Sequence, residues 1–395
     1  MNILAEVVLL MSETERLTLY SMPDKDITLH DLIENACVNN YASGNLWHNY
    51  VTYSILNDEN FFSLECERRN APDGTLRDLA ILDFASLMKV FQNGNEELQE
   101  FFHNRKNTSP VCEVSRLIAG SQNPREVYDH VANFYRKYGV GIYAFHKAFR
   151  FDSNSKKIIP VANENLGGMT LDDLIGYDIQ KAELIRNTEA FISGKPANNV
   201  LLYGDGGTGK STSIKALLNE YFSQGLRVIE LYKHQFRDIL SISKILRQRN
   251  YKFIIFIDDL SFEEDESEYK LLKAIIEGGI ETRPGNILIY ATSNRRHIIR
   301  EIWSDRDDME HNGDIHRSDT VEEKLSLASR FGIAINYSAP TRKMYHDIVI
   351  NLAKKAGIDI NESELLAGAD RWEIRHGGKT GRAARQYIDY LLGGE

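Results

Sequence analysis

The segment Val200-Leu-Leu-Tyr-Gly-Asp-Gly-Gly-Thr-Gly-Lys-Ser211 carries the strongest fold signal in this chain. Its first four residues are an apolar run that predicts a short buried strand, and the residues from Lys210 to Tyr221 have helical spacing. Between them, Gly204 to Ser211 match the pattern G-x-x-x-x-G-K-[ST], which joins a strand to a helix. Motif and context together predict a phosphate-binding P-loop.

The residue types of this loop suit a nucleoside triphosphate. Glycines allow backbone N–H groups to turn inward around phosphate oxygens, and the following helix adds its positive N-terminal end. We expect Lys210 to reach the β and γ phosphates and the Ser211 hydroxyl to ligate Mg²⁺. The expected cofactors are therefore ATP and Mg²⁺. The residues assigned to nucleotide binding in this segment are Gly204, Asp205, Gly206, Gly207, Thr208, Gly209, Lys210, Ser211 and Thr212.

A second apolar run, Phe253 to Ile257, ends in the acids Asp258 and Asp259. Because the run has no polar alternation, it predicts a strand buried on both faces, and ligands bind at the carboxyl edge of such sheets. We expect Asp258 to hold Mg²⁺ and Asp259 to polarise the attacking water as a catalytic group. The alternative, a pair of capping aspartates at a strand end, stays open for Asp259.

Two further segments supply candidate catalytic groups. The apolar strand Ile287 to Ala291 runs into Asn294, whose amide would lie beside the γ-phosphate and position water. A helix N-cap role for Ser293 or Asn294 is the alternative. Arg330 precedes a predicted strand, Ile333 to Tyr337, and is either a solvated charge or an arginine finger that meets transition-state charge.

Strands and helices alternate through the middle of the chain, which predicts an α/β fold with a parallel sheet. The tail after Pro340 is helical in pattern, and the first part of the chain is also mainly helical. We place a domain boundary between the polar stretch Asp152 to Lys157 and the new periodic segment that follows Gly167-Gly168. The expected domains are a mainly helical N-terminal domain over 1–165, a nucleotide-binding core over 166–338 and a helical lid over 339–395.

The composition is that of an ordinary globular protein, with 395 residues, 42% apolar and 26% charged. The formal net charge of −10 argues against general nucleic-acid packaging and against a surface built for anionic lipid. The three cysteines, Cys37, Cys66 and Cys112, are expected to be buried, reduced thiols. The N-terminal run does not fit a signal peptide and no run approaches ~20 apolar residues, so we expect a cytoplasmic protein without a membrane partner.

The P-loop, the acidic strand end, the asparagine and the arginine resemble, in type and order, the AAA+ superfamily of ATPases. Within it, residues 125–392 resemble one uncharacterised bacterial ATP-binding family, domain of unknown function 815. The segments that carry this resemblance are Asn199–Gly204, Asp258–Phe262, Leu272–Gly278, Tyr290–His297 and Glu323–Leu327.

The resemblance implies a five-stranded parallel core in the order five-one-four-three-two, flanked by helices and followed by a helical lid. It implies that Leu174 to Tyr177, and so Ile175 and Gly176, line the adenine pocket. It favours Arg382 over Arg385 as a nucleotide-sensing arginine of the lid. It also implies ATP at a subunit interface of a homo-oligomer, where Arg330 acts on a neighbour's nucleotide.

Two features depart from that pattern. Asp259 stands where the superfamily uses glutamate, so hydrolysis is expected to be slow. No threading loop follows the second core strand: Tyr232 or Phe236 could line a pore, but core packing is the favoured interpretation.

We expect an ATPase that couples ATP binding and hydrolysis to conformational change or remodelling of a macromolecular partner that the sequence does not identify. The alternatives are a nucleotide-gated binding switch with little turnover and a nucleic-acid-associated loader. Two basic clusters bear on the loader, although solvated surface charge is their favoured interpretation. They are Arg295, Arg296, His297 and Arg300, and Arg237, Lys244, Arg247, Arg249 and Lys252.

Overall fold

The structure, a computed structural model, describes residues 28–68, 72–92, 109–261, 267–277, 284–294 and 330–393. The chain divides into two compact units, Met1–His146 and Lys147–Glu395. The basic cluster at 295–300 and the family segment at 323–327 lie outside the described residues. Helices and strands are labelled in chain order among the residues described.

The first unit is helical where it is described. Side-chain caps fix several helix starts: Asn60 and Ser109 accept N–H groups of the first turn, and a proline at the first position follows Ser109. The helices are α1 Leu29–Val38, α2 Leu46–Asn57, α3 Phe61–Glu67, α4 Gly74–Gln92, α5 Pro110–Gly120, α6 Pro124–Tyr138 and α7 Ile142–Phe145.

Aromatic rings form much of the core of the helical unit. The Phe62 ring centroid lies 6.1 Å from that of Phe84, 5.4 Å from that of Tyr128 and 6.1 Å from that of Tyr135. Trp47 and Tyr135 are fully buried. Aromatic rings packed in this way supply much of the buried apolar surface of the unit.

The expectation of three buried thiols is wrong for one of them. Cys66 and Cys112 are buried, but Cys37 is exposed near the end of α1. Burial raises the pKa of the Cys66 thiol to about 11, so this group stays protonated at neutral pH. The physical reason for the difference is the helix face: Ala36 points into the core and the next residue, Cys37, does not.

The second unit is built on one seven-stranded sheet in the order β2-β1-β4-β5-β6-β3-β7. β2 pairs antiparallel with β1, and all other neighbours are parallel. Counting from β3 to β7 alone, the order read from β7 is five-one-four-three-two, as the resemblance implied. The strands are β1 Ala148–Asp152, β2 Lys157–Val161, β3 Val200–Gly204, β4 Leu226–Glu230, β5 Lys252–Ile257, β6 Ile287–Asn294 and β7 Ile333–Tyr337.

The predicted five-stranded core is present, and residues 148–161 extend its sheet by two strands. β1 lies parallel to β4, with Ala148 opposite Val228, and β2 covers its other edge. Phe149 and Phe151 are buried on alternate positions of β1, a period of two within the range that the sequence analysis assigned to a mainly helical domain. The polar stretch after Phe151 forms the turn, where the Asp152 carboxylate accepts the N–H of Asn154.

Helices cover the sheet and form a C-terminal lid. In α9, Ile214, Leu217, Leu218 and Tyr221 recur at helical spacing and pack on the sheet. The helices are α8 Asp178–Ile192, α9 Lys210–Tyr221, α10 Ile239–Leu246, α11 Ser267–Glu277, α12 Arg342–Ala356, α13 Glu362–Arg375 and α14 Gly381–Gly393.

The last three helices form their own small core around Tyr345, Val349 and Tyr387. Gly357 ends α12 in the left-handed conformation with φ 70°, which a glycine adopts at little cost. These three helices occupy the part of the chain for which the sequence predicts a helical lid. Among the described helices, none combines the length and the apolar character needed to cross a bilayer.

The segment after β4 contains two aromatic residues, one buried and one exposed. A short 3₁₀ helix, Lys233–Asp238, leads directly into α10. Phe236 is buried, which confirms core packing for this ring, whereas Tyr232 is 46% exposed and stacks on His234 with a centroid distance of 6.0 Å. Core packing is therefore wrong for Tyr232.

The registers of the parallel strands bring the predicted site residues to one edge. Gly204 lies opposite Asn294 on β6 and opposite Tyr337 on β7. Ile257, the last residue of β5, lies opposite Ala291, so the acids after β5 reach the same edge. This is the carboxyl edge of the sheet, where ligands bind in open α/β folds.

We predict that Arg227, a buried cation on β4, contributes strongly to stability. It is 2% exposed, stacks between the rings of Phe222 at 4.0 Å and Tyr251 at 4.6 Å, and donates to the carbonyl oxygens of Phe222 and Leu226. Arg227→Ala should lower the free energy of unfolding by about 3 kcal/mol, since it removes both the stacking and the charged hydrogen bonds.

Urea denaturation followed by circular dichroism measures this effect. Arg186→Ala, on the exposed face of α8, is the matched control and should change the free energy by less than about 0.5 kcal/mol. Equal stabilities of the two variants would contradict the prediction.

Candidate functional site

The loop between β3 and α9 is shaped by glycines in conformations that other residues rarely adopt. Gly207 has φ 73° and Gly209 has φ 97°. At Gly204 a side chain is excluded by space as well, since a Cβ would lie 2.2 Å from the Tyr337 carbonyl oxygen. Gly209 is the N-cap of α9, so no capping side chain covers the first N–H groups of that helix.

Lys210 lies inside the loop. Its Nζ donates to the carbonyl oxygens of Gly204 at 3.0 Å and Asp205 at 2.7 Å, and to Asn294 Oδ1 at 3.3 Å. Burial lowers the pKa of Lys210, while the neighbouring carboxylates act in the opposite direction. The ammonium group is therefore held by uncharged oxygen acceptors. An anion bound in the loop would stabilise the charged form of Lys210 more than these acceptors do.

Two hydroxyl groups converge on one carboxylate oxygen beside the loop. Ser211 Oγ donates to Asp258 Oδ1 at 2.6 Å, and Thr292 Oγ1 donates to the same oxygen at 2.5 Å. Ser211 opens α9 and Asp258 follows β5, so the motif residues predicted to share a metal are in contact. Thr292 was missed from the sequence. The signal was its position two residues before Asn294 on β6, which puts both side chains on one face of the strand.

Asp259 occupies a strained backbone position. Its φ is 52°, in the left-handed region, which costs a non-glycine residue roughly 1 kcal/mol. Its N–H donates to Thr292 Oγ1 at 2.9 Å, and its Oδ1 accepts from Asn294 Nδ2 at 2.8 Å. The side chains of β6 thus hold the turn that carries the second acid.

Asn294 links the cation of the loop to this acid. Its amide oxygen accepts from Lys210 and its amide nitrogen donates to Asp259. As the last residue of β6 it lies opposite Gly204, which places its side chain over the P-loop. The structure therefore joins Lys210, which the sequence assigned to the phosphates, with two residues that it assigned to catalysis, Asp259 and Asn294.

These groups open onto a cavity of about 590 Å³, within the range of ligand pockets. Its polar end is formed by the P-loop, the acids and Asn294, and its apolar end by the segment around Leu174 and by lid helix α12. The residues that line it are Met169, Asp173, Leu174, Ile175, Tyr177, Gly206, Gly207, Thr208, Gly209, Lys210, Ser211, Thr212, Asp258, Asp259, Thr292, Asn294, Pro340, Ile348, Leu352, Gly381, Arg382 and Arg385.

Three of the predicted binding residues shape the cavity without forming its wall. Gly204 lets the loop pack closely against Tyr337 of β7, as described above. The Asp205 carboxylate accepts the N–H of Ala339 at 2.8 Å. Gly176 has φ 75°, and a Cβ there would lie 2.4 Å from Cε of Met344 on α12. Glycine at this position lets the 169–177 segment pack directly against helix α12.

The two lid arginines both reach the cavity. Arg382 lies in the first turn of α14, and a Cβ on Gly207 would come within 3.2 Å of the Arg382 Cβ. Arg385, one turn further on, donates from Nη2 to the sulfur of Met169 at 3.8 Å. Arg382 is therefore next to the phosphate-binding loop, whereas Arg385 is next to the 169–177 segment.

Arg330 is the one predicted catalytic residue that does not line this cavity. It precedes β7 and is half-buried at the amino edge of the sheet, while Tyr337 at the other end of β7 lies opposite Gly204. The five extended residues of β7 alone span roughly 15 Å, and Arg330 precedes them. The structure therefore places Arg330 far from the P-loop of its own chain.

An ion pair joins helix α12 to the 169–177 segment. Lys355 on α12 donates to the Asp173 carboxylate, which also accepts from the N–H of Thr170. The Lys355 ammonium, followed by these hydrogen bonds, holds the pKa of Asp173 below its usual range. Because the folded pKa lies below the unfolded one, this stabilisation is present above the unfolded pKa of about 3.9 and is lost as pH falls through the lower folded value.

We expect Asp173→Asn to lower the thermal midpoint by about 2 °C at pH 7, since one partly exposed ion pair is removed. The difference from wild type should shrink as the pH falls below about 4. Thermal scans between pH 3.5 and 7 measure it, and Asp172→Asn, at the exposed neighbouring position, is the control. A difference that stayed constant over this range would contradict the prediction.

The strand order, the P-loop after β3, the acids after β5 and the helical lid define a P-loop nucleoside triphosphatase fold of the AAA+ type. The chain belongs to the family described as "Protein of unknown function (DUF815)", whose model matches residues 144–395. The family resemblance inferred from the sequence is thereby confirmed.

Other similarities cover less of the chain. The large subunit of replication factor C from Staphylothermus marinus is 32% identical over 85 residues, which are 21% of this chain and 19% of that protein. A mutant form of Thermotoga maritima RuvB has a TM-score of 0.40 and 19% identity over 57% of this chain and 65% of its own. The Thermotoga maritima RuvB Holliday junction branch migration motor has a TM-score of 0.34 and 18% identity over 57% of this chain and 73% of its own.

Proposed function

We propose that this chain binds ATP with Mg²⁺ and hydrolyses the ATP slowly, as a homo-oligomer. The cycle would drive a conformational change or the remodelling of a macromolecular partner that is not identified. The observation that carries the proposal is the cavity that gathers Lys210, Ser211, Asp258, Asp259 and Asn294.

The residues present suit both parts of the ligand. The glycines of the loop leave room for phosphate oxygens beside the first N–H groups of α9. Ser211 Oγ and Asp258 Oδ1, 2.6 Å apart, are a hydroxyl and a carboxylate oxygen, which are ligands that Mg²⁺ accepts, and these two residues would hold the ion. When bound, Mg²⁺ would offset charge on the phosphate oxygens.

The other side chains would take the following parts. Lys210 would exchange its backbone acceptors for phosphate oxygens, a stronger charge-assisted contact. Asp259 would accept a proton from the attacking water, which the Asn294 amide would orient. Ile175 and the apolar residues of α12 would enclose the base, and Arg382, beside Gly207, would sense the phosphates from the lid.

The position of Arg330 supports the oligomeric part of the proposal. Because it lies at the amino edge of the sheet, it cannot meet the phosphates of its own chain without refolding β7. In a head-to-tail assembly the amino edge of one subunit can face the nucleotide cavity of the next. Arg330 would then act on the neighbour's nucleotide.

One contact favours a second candidate, a nucleotide-gated binding switch with little turnover. Asp259 Oδ1 is already engaged by the Asn294 amide, and the side chain is short for a water-activating acid. With Asp259 held in this way, the attacking water would rarely be activated. ATP binding, rather than hydrolysis, would then set the conformation of the protein.

The loader alternative has weaker support. Of the second basic cluster, Arg237, Lys244 and Arg247 are exposed, but Arg249 is buried and Lys252 donates to the Gly285 carbonyl oxygen. The surface available to nucleic-acid phosphates is therefore smaller than the sequence suggested. Turnover stimulated by DNA or RNA, with a steep salt dependence, would bring this candidate forward.

The test is to measure ATP binding and steady-state phosphate release over a wide range of protein concentrations, with Mg²⁺ and with EDTA. The motor predicts Mg²⁺-dependent turnover whose rate per subunit rises with concentration. Tight binding without turnover would select the switch. Absence of binding to either ATP or GTP would refute both.

A further inference from the structure

The hydroxyl of Thr292 lies between the two consecutive acids that follow β5. Its Oγ1 accepts the N–H of Asp259 at 2.9 Å and donates its proton to Asp258 Oδ1 at 2.5 Å. The directions are fixed, because a backbone N–H can only donate and an ionised carboxylate can only accept. The Thr292 hydroxyl thus donates to the side chain of Asp258 and accepts from the backbone of Asp259.

Two further hydrogen bonds from β6 hold the same turn. The Thr292 carbonyl oxygen accepts the N–H of Leu260 at 2.7 Å, and the next residue, Ser293, donates from Oγ to the Leu260 carbonyl oxygen at 2.7 Å. Asp259 has the left-handed φ of 52°, a conformation that persists in non-glycine residues only where the surroundings hold it. The hydroxyl bond to its N–H is part of that support.

The Thr292 hydroxyl is the side-chain acceptor of the Asp259 N–H. Thr292 itself is 2% exposed, and the hydrogen bond between its hydroxyl and the Asp259 N–H is part-buried. Valine has nearly the same shape but neither donates nor accepts. It would leave the Asp259 N–H without its acceptor and free one side of the Asp258 carboxylate.

We infer that Thr292 is the positioning residue of the site: it aims Asp258 toward the Mg²⁺ position and fixes the turn that presents Asp259. The inference rests on the proposed nucleotide-binding function. It assigns Thr292 no contact with the reacting atoms, since both effects pass through the acids.

Three variants separate this role from a contribution to packing. Thr292→Val removes the hydroxyl and keeps the volume, and Thr292→Ser restores the hydroxyl. The matched control is Thr188→Val: Thr188 is fully buried in α8, and its hydroxyl donates to the Leu184 carbonyl oxygen and contacts the Tyr290 hydroxyl at 2.9 Å. The control therefore loses a buried threonine hydroxyl of the same unit outside the cavity.

The first measurement is hydrogen–deuterium exchange of the peptide around residues 258–261 in nucleotide-free protein. Thr292→Val should speed exchange there at least about tenfold, since a protecting hydrogen bond is lost. Thr292→Ser should exchange within about threefold of wild type. Thr188→Val should leave this peptide unchanged while lowering the thermal midpoint.

The second measurement is the affinity for a fluorescent ADP analogue, with Mg²⁺ and with EDTA. In Thr292→Val the gain in affinity on adding Mg²⁺ should fall about tenfold, while the affinity in EDTA stays at the wild-type value. Thr292→Ser and Thr188→Val should keep the wild-type gain. If the valine variant does not fold, Thr292→Ala is subjected to the same comparisons, because it also lacks the hydroxyl.

The outcomes distinguish the inference from the function on which it rests. If wild type gains affinity with Mg²⁺ and the valine variant matches it in both measurements, Thr292 is not a positioning residue and the proposed function stands. If wild type binds no nucleotide, or Mg²⁺ adds nothing, the proposed function fails and the inference fails with it.

Discussion

Turnover of ATP by Lys210→Ala is expected to fall about a thousandfold below that of wild type, the scale seen when a preorganised donor to developing charge is removed. Lys210 is 7% exposed, and its Nζ is already fixed within the loop by three oxygen acceptors. An alanine removes the ammonium group together with its three hydrogen bonds. Phosphate release at saturating ATP measures the loss.

The matched control for this variant is Lys215→Ala, because Lys215 is on the same helix, α9, but on its exposed face. It should turn over ATP at the wild-type rate. If Lys210→Ala kept turnover within tenfold of wild type, the P-loop lysine would have no part in hydrolysis. The activity would then have to come from another site or from a contaminant.

Arg330→Ala is expected to lower turnover by about 10³-fold or more, the range typical of a charge-stabilising arginine finger. Its affinity for ATP should stay close to that of wild type, since Arg330 does not line the cavity of its own chain. Arg186→Ala, an exposed arginine of the same unit, is the control and should be fully active. Turnover and nucleotide affinity are measured together, because a loss of both would indicate misfolding.

A mixing experiment decides between action within a chain and action on a neighbour. Subunits of Lys210→Ala and Arg330→Ala, each inactive alone, are combined in equal amounts. If Arg330 acts across a head-to-tail interface, about a quarter of the sites pair an intact P-loop with an intact arginine, and turnover returns to about that fraction of wild type. If Arg330 acts within its own chain, the mixture stays inactive.

The parts of this protein that depend on local patterns could be predicted from the order of its amino acids. The glycines and Lys210 of the P-loop sit in a strand–loop–helix unit whose conformation is set by residues adjacent in the chain. The buried strands β5 and β6 were predictable because continuous apolar runs leave few other choices in an α/β fold. From strand ends alone, Asp258 and Asn294 could be assigned to one edge of the sheet, and their contacts with Ser211 and Lys210 lie there.

Other features were not readable in this way. Residues 148–161 carry an alternating pattern, but their aromatics also fit a helical core, and only pairing with β4 makes them strands. The pattern places Thr292 and Asn294 on one face of β6. It does not say that the Thr292 hydroxyl meets Asp258, 34 residues earlier.

Which side chains contact one another depends on long-range packing. The Asp173–Lys355 pair joins residues 182 positions apart, and the left-handed turn at Asp259 is held by side chains from another strand. Arg330 was assigned to catalysis from its place before β7, yet the direction of that strand puts it at the edge away from its own P-loop. The physical reason is the same in each case: periodicity fixes the face on which a side chain lies, whereas its partner depends on the order and register of strands that are distant in the chain.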